Sequence, residues 1–182
     1  MTTLLYTFID RHNQDEYLNG LDVLKERNFR SLRNKNIALL INHTSIDKDG
    51  AHITETLSGY PNIHVKVIFS PEHGLYGLNE AGEKVENQAL KKMAVDVVSL
   101  YGSKKKPSKK DMEDVDVLVV DIQDIGSRYY TYISTVKNVI DVAKEFNVEI
   151  LILDRANPLG GEKISGSMML KKYSSFVGSM PI

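Results

Sequence analysis

The stretch Val115–Thr131 reads VDVLVVDIQDIGSRYYT, and its reading decides the fold. Its first six residues, Val115–Val120, form a short apolar run rich in valine. Polar residues and a glycine follow, and then Tyr130–Phe146, in which Ile133, Val136, Val139, Ile140 and Ala143 recur at helical spacing. A buried strand, a polar loop and an amphipathic helix in that order are the first parts of a βαβ unit. Downstream, Glu149–Leu153 (EILIL) supplies the next strand. Upstream, Ile37–Ile41 (IALLI), Val65–Phe69 (VKVIF) and Val95–Leu100 (VDVVSL) have the same character. Continuous apolar runs, in place of strict alternation, predict strands covered on both faces, as in a parallel sheet. Asp15–Arg27, with Tyr17, Leu18, Leu21 and Leu24 on one face, predicts a helix before the first strand. His52–Leu57 predicts a short one after the turn at Asp49-Gly50, and Ser108 caps another that runs to Met112. Leu75–Lys92 is long and polar and reads as a loop or lid holding a weak helix. The expected fold class is α/β: a Rossmann-like, doubly wound, mostly parallel sheet with helices on both faces.

Bulk properties narrow the function. The chain has 182 residues, 42% of them hydrophobic and 26% charged, with a net charge of −1. That balance suits one globular core and points to neither nucleic acid nor an anionic membrane as a partner. There are no cysteines, which removes disulfides, thiolate catalysis and cysteine-based zinc sites. No run approaches the roughly 20 apolar residues of a membrane span. The N-terminus lacks a basic segment and its apolar stretch is interrupted by Thr7 and Asp10, so it makes a poor signal peptide and the expected location is the cytoplasm. The basic cluster Lys104–Lys110 contains Pro107 and reads as a solvated turn.

Ligands of an open parallel sheet bind beyond the carboxyl ends of its strands. The residues that follow the five runs are Asn42-His43-Thr44-Ser45, Ser70-Pro71-Glu72-His73-Gly74, Tyr101-Gly102, Asp121 through Tyr130, and Asp154-Arg155-Ala156-Asn157-Pro158. In a parallel sheet these segments converge on one rim. Glu72 stands directly after a buried strand. Partial desolvation there raises a carboxyl pKa and suits it to general-acid work, while the competing reading is a turn cap or an ion pair with Arg128 or Arg155. His73 either holds Glu72, touches substrate, or is a satisfied structural histidine. Asp121 and Asp124 are candidates for the second carboxylate of a glycosidase; alternatively Asp121 bonds loop amides and Asp124 caps the next helix. Arg128 with Tyr129 and Tyr130 either clamps an anionic ring-shaped ligand or bridges Asp121 or Asp154, with one tyrosine in the core. Gln123 lies between the two aspartates. Asn157 and Asn42 carry amides suited to sugar hydroxyls or an acetamido group, and Asp154-Arg155 reads as an ion pair shaping the rim. GxGxxG, GxxxxGK[ST] and GxSxG motifs are absent, and no HExxH or comparable spacing is present, so neither a cofactor nor a metal is expected.

The series NHTS, FSPEHG, SLYG, DIQDIGSRYYTYIST, LDRANPLGG and SFVG, in this order and spacing, resembles the NamZ family of exo-β-N-acetylmuramidases. The resemblance runs from about Gly20 to the C-terminus. It implies a Rossmann-like domain followed by a second α/β domain, with the active site in the cleft between them. It also implies release of terminal N-acetylmuramic acid from the non-reducing end of peptidoglycan fragments. By position, the glutamate of SPEHG, Glu72, is the implied catalytic residue, with Asp121, Gln123, Asp124, Arg128 and Asn157 at other motif positions. Ala156 stands where the family usually has proline. Family members are about twice this long and often exported. The expected organisation is therefore an extension over 1–19, a catalytic-half domain over 20–165 and a tail over 166–182 leading to a second domain. The expected partner is a peptidoglycan-derived saccharide, and the alternative function is saccharide binding without catalysis. An exposed half-cleft also predicts self-association as a homodimer.

Overall fold

The computed structural model describes residues 17–77 and 88–179. Five strands form one parallel sheet: β1 (Asn36–Ile41), β2 (His64–Ser70), β3 (Asp96–Ser99), β4 (Val117–Asp121) and β5 (Glu149–Ile152). Their spatial order is β3-β2-β1-β4-β5. The chain therefore moves outward from β1 to β3, then returns across the sheet to β4 and moves outward the other way. β1 and β4 are neighbours from which successive connections diverge, and this is the switch point where a doubly wound sheet opens a crevice.

Alternate residues of the central strands feed two cores. Ile37, Leu39 and Ile41 of β1 and Val117 and Val119 of β4 pack with Leu21 and Leu24 of α1 (Gly20–Glu26), Ile53 and Leu57 of α2 (Ile53–Leu57), and Leu90 of α3 (Gln88–Met93). Ala38, Leu40, Leu118 and Val120 point the other way, onto Val139, Val142 and Ala143 of α4 (Tyr132–Glu145) and onto Met112. Helices thus cover both faces, and the doubly wound α/β expectation holds. β4 is buried along its whole length, whereas β3 is open at Asp96 and Val97, as an edge strand must be. The other edge strand, β5, exposes Ile152. No helix among the described residues is long and apolar enough to cross a membrane.

Helix boundaries differ from the periodic pattern where caps decide them. α1 begins at Gly20, later than the pattern from Asp15 predicts, because the Asn19 side chain accepts from Leu21 N at 2.8 Å and Asp22 N at 3.1 Å, and Asp22 answers by accepting from Asn19 N. This reciprocal capping fixes the first turn. Only glycine fits at position 20, since a Cβ there would lie 2.4 Å from the backbone nitrogen of Asp154. Ser108 and Asp111 exchange hydrogen bonds around a single 3-10 turn, Lys110–Met112, in place of a full helix. Residues 78–87 of the predicted lid, and the expected helix start before residue 17, lie outside the described residues.

At the end of β4, Asp121 is fully buried and held bidentately by Arg155, with Nε to Oδ1 at 2.6 Å and the second nitrogen to Oδ2 at 3.0 Å. Arg155 also donates to the Ile46 carbonyl at 3.0 Å. Removing one partner of a buried pair leaves an uncompensated charge, so Arg155→Met is expected to destabilise the fold by about 3–5 kcal/mol in urea unfolding. The double variant Asp121→Leu/Arg155→Met should recover most of that loss; equal destabilisation by both variants would mean that the charge pairing is not what Arg155 contributes.

Candidate active site

The carboxyl ends of β1 to β4 open into a cavity of about 720 Å³. The β1 end supplies His43 and Thr44, β2 supplies Glu72 and His73, β3 leads to Tyr101, Gly102 and Lys105, and β4 leads to Gln123, Asp124 and Ile125. Tyr129 to Tyr132 form one aromatic wall, and Phe176 and Val177 return from the C-terminal segment to form another. Hydrophobic and aromatic walls carrying a few fixed polar groups are the usual form of a small-molecule site.

The floor is built by hydrogen bonds between strand ends. The Asn42 side-chain oxygen accepts from Thr44 N at 2.9 Å and Thr44 Oγ1 at 2.6 Å, and Thr44 Oγ1 in turn accepts from Gln123 N at 2.9 Å. The β1 exit is thereby tied to the β4 exit. Ser45 donates its hydroxyl to the Asp121 carbonyl and accepts from Asn42 N. Buried His52 donates from Nε2 to the Asn42 carbonyl at 3.0 Å, and burial holds its pKa below the ordinary histidine value. It therefore stays neutral, with Nδ1 facing Thr54.

Glu72 sits in this cavity, half-buried. Thr131 donates its hydroxyl to Glu72 Oε2 at 2.7 Å. Burial pushes the Glu72 carboxyl up, but the hydroxyls of Thr131 and Tyr101, together with nearby His73, outweigh it and hold the group below the ordinary glutamate value. The expectation of a raised pKa is thus corrected: two donors reach the carboxylate, and hydrogen bonds to a charged form favour it. The same contact raises the Tyr101 phenol. Among the described residues the hydrogen-bond partners of Glu72 are hydroxyls, while Arg155 is spent on Asp121 and Arg128 donates to the Ser167 carbonyl. His73 is exposed beside it in the left-handed backbone region, at φ 69°.

The structure brings Glu72, His73, Gln123, Asp124 and Tyr130 together and leaves four other candidates off the cavity wall. Asp121 is sealed beneath the rim by Arg155, which, and not Arg128, is its partner; no ligand reaches that carboxylate. Burial pushes the Asp121 carboxyl above the usual range, against the pull of the guanidinium. Asn42 is a fully buried floor residue, near enough to Tyr132 to oppose the burial-driven rise of that phenol, though its Nδ2 makes no hydrogen bond of full geometry. Arg128 turns away and donates to the Ser167 carbonyl at 2.6 Å. Asn157 packs on Gly126, whose Cβ, if present, would lie 2.4 Å from the amide oxygen, and it accepts from Leu159 N at 3.0 Å. Tyr129 and Tyr130 are both exposed, at 80% and 49%, so neither enters the core. Asp124 does not cap α4; its Oδ2 accepts from Gly126 N at 3.0 Å in a local turn, while the Gln123 amide donates to the carbonyls of Asp124 and Ala156.

The sequence reading missed Lys105, Thr131, Tyr132 and Phe176 as site residues. Thr131 and Tyr132 stand in the DIQDIGSRYYTYIST segment and Phe176 in SFVG, so proximity to those motifs was the available signal. Lys105 lay hidden in a basic run.

The sequence profile described as exo-beta-N-acetylmuramidase NamZ, N-terminal, matches residues 37–182. The chain belongs to that family, as its N-terminal domain. It is 39% identical over 163 residues to the peptidoglycan beta-N-acetylmuramidase NamZ of Bacillus subtilis (strain 168), covering 90% of this chain and 39% of that protein. Two crystal structures of DUF1343 family proteins from Bacteroides fragilis NCTC 9343 share the fold. One has a TM-score of 0.78 at 39% identity, covering 91% of this chain and 41% of its own. The other has a TM-score of 0.72 at 38% identity, covering 91% and 42%. The family is one of glycosidases, and the chain spans about two-fifths of the length of these relatives.

Because its folded pKa is lowered, Glu72 contributes stability that is present above the ordinary glutamate value of 4.5 and is lost as pH falls through the folded value. A carboxyl-detected NMR titration should place its midpoint below 4.5, and Thr131→Val should move that midpoint upward. A midpoint at or above 4.5 in the parent chain would contradict the hydroxyl cradle.

Proposed function

We propose that this chain supplies one wall of the active site of a glycosidase that releases terminal β-linked N-acetylmuramic acid from peptidoglycan fragments. The observation that carries the reading is Glu72: a carboxylate cradled by Thr131 and Tyr101 inside an aromatic cavity at the switch point of the sheet. The relative named for this activity supports the substrate class.

Glycoside cleavage requires a proton for the leaving oxygen and a group that meets the developing positive charge of the oxocarbenium-like transition state. In the open cavity Glu72 is ionised. Covering the cavity with saccharide strips water from the carboxylate and favours its neutral form. Protonated in that state, Glu72 delivers the proton to the glycosidic oxygen as that oxygen's bond to the anomeric carbon breaks; a water molecule then adds to the anomeric carbon and gives up a proton, which restores the acid. His73, beside it and exposed, is placed to exchange that proton with solvent. Asp124, on the same cavity, faces the charge on the sugar ring, a role that the acetamido group of the substrate fills in substrate-assisted enzymes. Asp121, sealed by Arg155, takes neither part. Tyr129 and Tyr130 offer faces for a pyranose ring, and Gln123, with both amide protons used internally, shapes the floor.

The test is hydrolysis of para-nitrophenyl β-N-acetylmuramic acid by the 182-residue chain, with the glucosamine glycoside as control and NMR titration with free N-acetylmuramic acid alongside. Turnover of the muramic acid glycoside that Glu72→Gln abolishes supports the proposal. Binding at the cavity without turnover favours a saccharide-binding half-site. A folded chain that neither binds nor hydrolyses would overturn both readings.

A further inference from the structure

Muramic acid differs from glucosamine by a 3-O-lactyl carboxylate. A site that selects it needs a cation, and the more so here because Glu72 and Asp124 line the same cavity and repel a second anion. Arg128, the residue that the sequence pattern offers, is directed at the Ser167 carbonyl and at Gly166. Among the described residues that line the cavity, Lys105 is the sole lysine or arginine.

The neighbours of Lys105 in its basic run lie off the cavity wall. Lys104 binds Asp111 at 2.7 Å, and Lys106 stands on the side of Asp141, whose bonded partner is Lys137 at 2.6 Å. Lys105 points the other way. Its ammonium stands 4.9 Å from the centroid of Phe176, a cavity-wall residue, and its backbone carbonyl is fixed by Asn138 Nδ2 of α4 at 3.1 Å. A flat ring under a lysine restricts a long, flexible side chain and holds its charge at the cavity edge. The backbone tether sets where that side chain starts.

We infer that Lys105, braced on Phe176, is the specificity-determining cation that reads the free lactyl carboxylate of N-acetylmuramic acid. The inference rests on the proposed saccharide reading of the same cavity. It assigns recognition of the anion to the chain's third strand exit and not to the loop that carries Arg128.

NMR titrations of the 182-residue chain with N-acetylmuramic acid, its lactyl amide and N-acetylglucosamine separate the possibilities. The parent chain should bind the acid more tightly than the amide or N-acetylglucosamine. Lys105→Met should weaken binding of the acid by about fivefold, the upper range for a solvent-accessible ion pair, and leave N-acetylglucosamine unchanged. Lys105→Arg should keep most of the preference, and Lys106→Met should keep all of it. Raising the salt concentration should shrink the preference in the parent chain but not in Lys105→Met. If Lys105→Met retains the full preference for the acid, or if acid and amide bind the parent chain alike, the assignment to Lys105 is wrong while the saccharide reading stands. If none of the three ligands perturbs cavity resonances, both fail. Thermal unfolding of the variants controls for folding, which an exposed side chain such as Lys105 leaves intact.

Discussion

The buried pair of Asp121 and Arg155 is the constraint on which the rest of the rim depends. Asp121 ends the interior strand β4 and has no access to water, while Arg155 follows the edge strand β5. The guanidinium spans both carboxylate oxygens and reaches the Ile46 carbonyl in the loop after β1. Three strand exits are therefore locked by one side chain. The Asp121 carbonyl, on the other side of the same residue, accepts the Ser45 hydroxyl from the β1 loop. Such a pair is costly to bury and more costly to break, which makes it a strong determinant of geometry even where its net contribution to stability is small. Its position at the switch point means that the crevice between β1 and β4 has a defined floor before any ligand arrives.

On that floor the catalytic candidate is held differently. Among the described residues the hydroxyls of Thr131 and Tyr101 cradle Glu72. The contrast between the two carboxylates is one of partners. A full counter-charge would fix the protonation state of Glu72 and spend the group on structure, as happens to Asp121. Hydroxyls orient it and leave its charge responsive to water and to whatever covers the cavity. The hydroxyl of Thr131 comes from the residue before α4, so the helix that packs one face of the sheet also positions this carboxylate.

Much of this was legible from residue order. Apolar runs gave five strands, and the rule that ligands gather at carboxyl ends put Glu72, His73, Gln123, Asp124 and Tyr130 on one rim. What misled was the equivalence of residues that share a rim. Asp121 and Asp124 are three apart, yet the strand end buries one side chain and the loop after it puts the other on the cavity wall. By sequence, Arg128 and Arg155 look interchangeable as partners of Glu72, Arg128 is the expected bridge to Asp121 or Asp154, and Arg155 reads as paired with Asp154. The register of β4 against β5, which pairs Val120 with Ile152, brings Arg155 and not Arg128 over Asp121. Lys105 was hidden for the opposite reason: in a run of five lysines between 104 and 110, sequence gives no sign of which one faces inward.

The sequence by itself determined the class of fold, the existence of a polar rim and the family motifs, because hydrophobic periodicity and local turn chemistry depend only on neighbouring residues. The tertiary structure alone decided which carboxylate is sealed and which is open, that Glu72 is favoured as an anion, and which cation reaches the cavity. Those outcomes depend on groups far apart in the chain, such as Thr131 and Glu72 or Phe176 and Lys105, whose distances are set by strand order and register. Charge and protonation follow from such distances and from exclusion of water, neither of which is encoded in any one stretch of sequence.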